Sequence, residues 1–195
     1  MSATHFSGPV YSTAGFVGTV TGAITGNITG NVTGNVTGNV TGNVTGNLTG
    51  NVTGAVLATT PVNAVASPLT LTQATHAGRV VTLNLAGGIA TTLPAATGTG
   101  SVYRLIIGTT FTSSATIAVT GNDTFIGTCI YTQDAADTVL GFETVAGDNR
   151  VTFNGTTSGG YIGTSIEMID IAADVWYIKI IGPATSAEVT PFSTV

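Results

Sequence analysis

From residue 16 to residue 56 an apolar side chain returns at every fourth position: Phe16, Val20, Ile24, Ile28, Val32, Val36, Val40, Val44, Leu48, Val52 and Val56. Glycine follows two places later, from Gly18 to Gly54, with Thr between them at nearly every repeat and Asn closing most of them. A helix is excluded, because each interior Gly costs about 1 kcal/mol relative to Ala and the apolar slot is largely β-branched. The backbone is therefore expected to be extended. Side chains on an extended chain alternate faces, so a period of four puts Val and Gly on one face and Thr and Asn on the other. A face that alternates bulky with empty suits a narrow axis, and glycine's freedom at positive φ lets the chain bend between layers.

The number of chains on that axis follows from size and energy. One repeat buries one Val, worth roughly 1.5–3 kcal/mol, against about 1–2 kcal/mol of backbone entropy for each of its four residues. Alone it does not order, and three such units are too short a turn for a single chain to enclose a core. Several copies wound together gain interchain hydrogen bonds and a shared apolar layer, and closed symmetry makes three identical chains the natural solution. The pattern predicts a homotrimeric β-helical stalk over residues 16–57, with Val20, Ile24, Ile28, Val32, Val36, Val40, Val44, Leu48, Val52 and Val56 on the trimer axis. Collagen, the other glycine-rich trimer, needs Gly at every third residue and abundant Pro, whereas residues 16–56 contain no Pro.

Beyond the repeat the pattern changes. Residues 58–77 loosen into a connector containing Thr60-Pro61-Val62 and Ser67-Pro68-Leu69. Residues 78–195 then alternate apolar and polar in short β-branched or aromatic runs: 78–85, 89–93, 102–107, 115–119, 138–145, 150–153, 161–169 and 175–181. Glycine-rich turns such as Thr-Gly-Asn-Asp and Ala-Gly-Asp-Asn separate them. About eight strands at this spacing predict an all-β knob, a jelly-roll-like β-sandwich, with no helix of three turns.

Ahead of the repeat, residues 1–15 are too few to build a core. They carry His5, Phe6, Pro9 and Tyr11, side chains costly to leave in water and effective as interface anchors. A frayed terminus is the plain alternative, but these side chains favour a docking peptide that orders on a partner.

Composition sharpens the division. Charged residues make up 7% of the chain, the net charge is −5, and no Asp, Glu, Lys or Arg precedes Arg79. A basic nucleic-acid footprint is missing, and no run of about 18 apolar residues offers a membrane span. Met1 to Gly15 has neither the basic start nor the apolar core of a secretory signal, so synthesis in a cytoplasm, with retention there until assembly, is expected. The single Cys129 fits a chain without internal disulfides.

Chemistry-bearing residues are sparse. Asn-x-Thr sequons recur from Asn27 onward as a by-product of the repeat. Asp123, Asp134, Asp137, Asp148, Asp170 and Asp174 fall in or near loops, where oxygen-rich turns can hold calcium but where Asp more commonly caps its own backbone. Glu143 and Glu167 would need to stand about 5–10 Å apart to act as a glycosidase pair. His5 and His76 lack a Gly-x-Ser-x-Gly nucleophile to serve. Cys129 and Trp176 sit in apolar, strand-like surroundings and read as core, with carbohydrate stacking the alternative for Trp176. No catalytic, cofactor-binding or metal-ligating set is expected.

Thr4-His5-Phe6-Ser7-Gly8-Pro9-Val10, the Thr-Gly-Asn-Val repeat, Gly87-Gly88-Ile89, the run Leu93-Pro94-Ala95-Ala96-Thr97-Gly98-Thr99-Gly100 and the closing Thr190-Pro191-Phe192-Ser193 together resemble structural proteins of tailed bacteriophages. The resemblance is to capsid decoration and head-fibre proteins, and stalk-and-knob designs of this kind also occur in tail fibres. It implies a trimeric virion surface protein without catalytic residues. One end would be held by the major capsid protein or another virion protein, and a tail-fibre station would add a host glycan at the knob.

Overall fold

The computed structural model describes residues 60–133 and 138–194, together with Thr37. The terminal peptide with His5, Phe6, Pro9 and Tyr11, and the axis positions from Val20 to Val56, lie outside the described residues, as do Asp134 and Asp137. The elements described all belong to the unit Asn51–Val195.

The chain passes through β1 (Val62–Ala64), β2 (Leu69–Thr70) and one helical turn, α1 (Gln73–His76), before β3 (Val80–Leu83), β4 (Ala90–Thr92), β5 (Val102–Ile107) and β6 (Ala115–Ala118). There follow β7 (Thr124–Gln133), β8 (Val139–Glu143), β9 (Arg150–Phe153), β10 (Ser165–Ala172), β11 (Val175–Ala184) and β12 (Phe192–Ser193). Seven strands form one sheet in the order β1-β3-β5-β10-β11-β7-β8, and five form a second in the order β12-β9-β6-β4-β2. The unit is all-β, with both sheets mixed.

Through its first six strands the chain alternates between sheets, the odd strands joining one and the even strands the other. Each return enters its sheet from the same side, so β1, β3 and β5 run parallel, as do β2, β4 and β6. A jelly roll is antiparallel throughout; this half of the unit instead winds like a short two-sided coil of about 20–25 residues per turn. From β7 onward antiparallel pairs take over, except that β11 lies parallel to β7 along ten residues, from Val175 beside Thr124 to Ala184 beside Gln133.

Residues 60–77, expected above as connector, are consequently part of the folded unit. Val62 to Ala64 pair with Val81 to Leu83, and Leu69 and Thr70 pair with Thr91 and Thr92. Its prolines do not interrupt the ladders because Pro61 and Pro68 each stand immediately ahead of a strand, a position where the missing N–H leaves no gap.

Alternation places the core. Tyr103, Leu105 and Ile107 of β5, Ile166 and Met168 of β10, and Trp176, Ile178 and Ile180 of β11 are buried, and they share one apolar cluster with Ile117, Val151, Phe153 and Phe192 of the other sheet. The two sheets therefore close over a common core. Tyr103 and Trp176 meet edge to face at 5.6 Å between ring centroids, a favourable aromatic arrangement. Gly127, in the middle of β7, has φ +152 and lies against the Ile178 carbonyl so closely that a Cβ would collide with it; only Gly fits this close approach of β7 to β11.

Candidate functional site

The buried carboxylates hold loops. Asp170, at the end of β10, reaches into the turn 97–99: its carboxylate accepts the N–H groups of Thr97 at 3.0 Å, Gly98 at 2.7 Å and Thr99 at 3.0 Å, and the Thr99 hydroxyl at 2.7 Å. Burial opposes its ionisation, but the Thr99 hydroxyl and the three N–H donors outweigh burial and hold the carboxyl below the usual range. Asp123 accepts the N–H of Ala96 at 2.7 Å, and Asp148 that of Val145 at 2.8 Å. Asp174 takes a left-handed turn conformation at φ 62 between β10 and β11. The carboxylates of Asp170, Asp123 and Asp148 pin turns, the role weighed above against calcium binding. Among the described residues no three His, Cys, Asp or Glu side chains converge.

The other singled-out residues are likewise structural. His76 is buried and its Nδ1 accepts the N–H of Thr72 at 2.9 Å, closing the turn α1. Cys129 is fully buried and burial pushes its thiol up to about 12, a rise partly opposed by its hydrogen bond with Tyr131. The Tyr131 hydroxyl donates to the Ser158 carbonyl at 2.6 Å. Trp176 is 1% exposed, which leaves no face for a sugar ring. Glu143 and Glu167 lie on the same cross-strand row, but β7 and β11 separate their strands. Three strand spacings of about 4.8 Å put their backbones roughly 14 Å apart, beyond the range of a glycosidase pair.

What the unit does present is a pair of contrasting outer faces. On the five-stranded sheet the outward rows are Ala90, Thr116 and Thr152, and Thr70, Thr92, Ala118, Arg150 and Ser193: apart from Arg150, short and mostly hydroxylated side chains. None of the unit's exposed large apolar side chains belongs to a strand of that sheet, among the described residues. On the seven-stranded sheet three neighbouring outward rows cross the central strands, flanked by Val175 and Thr124 on one side and by Pro183, Thr132 and Val139 on the other. One reads Val102, Ile169, Tyr177, Ile126 across β5, β10, β11 and β7. The next carries Arg104, Glu167, Lys179, Thr128 and Glu143, and a third Ile106, Ser165, Ile181, Ile130 and Gly141.

Ile126, Ile130 and Ile181 are 47%, 38% and 41% exposed. Beside them Arg104 donates to Glu167 at 3.1 Å. A hollow of about 330 Å³ opens where Gly141 lacks a side chain, lined by Thr128, Ile130, Phe142 and Glu143. A broad apolar face crossed by one balanced line of charge has the composition of a protein-binding surface. Sequence reasoning did not find it, because β7 lay outside the expected strands and the rows exist only once the registers are known. No protein-family model, curated protein or solved structure matches this chain.

Proposed function

We propose that this chain is a non-enzymatic structural protein of a tailed-bacteriophage virion: a trimeric capsid decoration protein or head fibre. Its N-terminal peptide docks on the major capsid protein or another shell component, the 16–57 repeat trimerises and spaces, and the unit described above is the outward knob. The observation that carries this reading is the four-residue repeat, whose single apolar slot can be buried only when copies share an axis. The knob is in keeping with it, since its buried acids, His76 and Cys129 are engaged in holding the fold. The chain would be made in the host cytoplasm and join the virion surface at assembly. A receptor-binding tail fibre whose knob recognises host glycans is the second reading, favoured by the resemblance alone.

Deleting residues 2–14 separates the roles. The shortened chain should still trimerise, as judged by light scattering, and melt like the full chain, yet fail to coat virions stripped of their own copy. Three peptides on one axis bind with avidity well above that of one, so the loss on pelleting should be near complete. Equal occupancy by both chains would place docking in the knob and overturn the proposed orientation; labelled antibody on the tail in place of the head would select the fibre reading.

A further inference from the structure

Among the described residues nothing covers the outward face of the seven-stranded sheet, and its charges indicate what packs on it. Four charged groups lie on one row, two of each sign, in the order Arg104, Glu167, Lys179, Thr128, Glu143 from β5 to β8. Such a row has no net charge to attract a polyanion or a basic peptide. Its central pair, Glu167 and Lys179, does complement its own reverse. A two-fold axis running along the strands between β10 and β11 keeps each row facing itself while reversing its order.

Under that operation Glu167 of one copy meets Lys179 of the other, twice, Arg104 meets the uncharged Thr128, and Glu143, at the rim of the sheet, meets Val80 of β3. The apolar row pairs Tyr177 with Ile169 and Ile126 with Val102. In the third row Ile130 meets Ile106, and the Gly141 hollow lies opposite Thr82, the β3 neighbour of Ile106. Moving the axis one strand toward β8 would set Glu167 against Glu143, and moving it onto β10 or β11 would set like charges on themselves. Sheets packed face to face keep their strands within about 30° of each other, as this operation does apart from their twist. Contacts of this kind are isologous, each pair occurring twice.

We infer that this face is a self-association surface, on which a second copy of the chain packs sheet to sheet about a two-fold axis between β10 and β11. The inference does not rest on the virion reading. A two-fold contact is not one of the contacts around a threefold axis, so it joins two of whatever unit the stalk sets, and the two readings fail separately.

Charge exchange on the full chain tests it. Lys179→Glu sets Glu against Glu167 across the axis, and Glu167→Lys sets Lys against Lys179, so each variant alone should sediment at no more than half the mass of the wild-type assembly. An equimolar mixture of the two restores opposite charges at both contacts and should regain the wild-type mass, which pairing within one chain does not explain. Trp176 emission confirms that both variants are folded. A second measurement uses the fact that Lys179 is the only lysine: a short amine-to-amine cross-linker should join Lys179 to Lys179 between chains, and Lys179→Arg should abolish that peptide while keeping the association. A wild-type chain at the mass of the single variants, a mixture that stays dissociated, or the absence of a 179–179 cross-link would overturn the inference; the first of these would leave the face for a shell protein or a host glycan.

Discussion

Replacing Asp170 with Asn removes one charge and one acceptor from a site that contains little else to replace them. In the wild-type chain one carboxylate oxygen serves the N–H groups of Thr97 and Gly98, and the other serves the N–H and hydroxyl of Thr99. Asn keeps a single oxygen. Its best rotamer retains the first pair, and its NH2 faces the Thr99 hydroxyl, which can accept from it. The Thr99 N–H is then left without a partner. Hydrogen bonds to a charged group are worth about 1.5–3 kcal/mol, and an orphaned buried donor costs about 1–3 kcal/mol. The carboxylate borders a small hollow of about 50 Å³, where water can screen the charge and satisfy part of the loss, so the lower figures apply and the expected cost is about 2 kcal/mol. For a unit of this size that corresponds to a drop of about 6–10 °C in Tm.

Trp176 is the chain's only tryptophan and is paired across strands with Asp170, so its emission reports this unit directly during heating. The sign with pH follows from the depressed folded value. The stabilisation is fully present above the unfolded value of about 3.9 and is lost as pH falls through the lower folded value. The gap between wild type and the Asp170→Asn variant should therefore be widest from about pH 5 upward and close progressively below about pH 4. A variant melting within about 2 °C of wild type at pH 7, or a gap that does not narrow in acid, would refute the clasp.

Two further outcomes can be checked directly. With its thiol pushed up to about 12 and no exposure to solvent, Cys129 should react with iodoacetamide at pH 8 at least about 100-fold more slowly than an unfolded chain; labelling of the folded chain at the free-thiol rate would contradict its place in the core. If the repeat winds as the proposed trimeric stalk, Val36→Asp would bring like charges from three chains into one dry layer and prevent trimer formation, while Asn35→Ser, on the proposed outer row, should change the melting temperature little. Equal losses would mean that the inward and outward faces are exchanged.

Much of the strand inventory was legible from alternation: 102–107 and 150–153 match β5 and β9, and the apolar, alternating 175–181 lies inside β11. Alternation failed where one residue carried a second duty. β7 was missed because Gly127, required by the approach to Ile178, interrupts a run already diluted by Thr124, Thr128 and Thr132. β1, β2 and β12 were too short to show a period, since two or three residues define no face and their pairing is written in the partner strand. Parallel pairing is likewise a property of topology that no local pattern encodes. The aspartates were recognisable as turn formers, but Asp170 serves a turn more than seventy positions earlier in the chain, and nothing near residue 170 names that partner. The charged row escaped for the same reason: Arg104, Glu167, Lys179 and Glu143 share a row only through four strand registers.

The parallel ladder between β7 and β11 has a consequence for the order in which the chain can mature. In its sheet β7 borders only β8 and β11, so a ribosome that has released residues 124–143 has released a hairpin with no sheet to join. Its inward side chains, Phe125, Cys129 and Tyr131, have no cover until the strand that ends at Ala184 emerges and inserts between β7 and β10. The coil of the first six strands can form as it is made; the hairpin must wait some forty residues longer, through β9 and β10. Non-local pairings of this kind are slow to close and expose apolar surface meanwhile. Nascent chains arrested between residues 144 and 174 should accordingly be the ones that chaperones hold, and release should coincide with the arrival of β11.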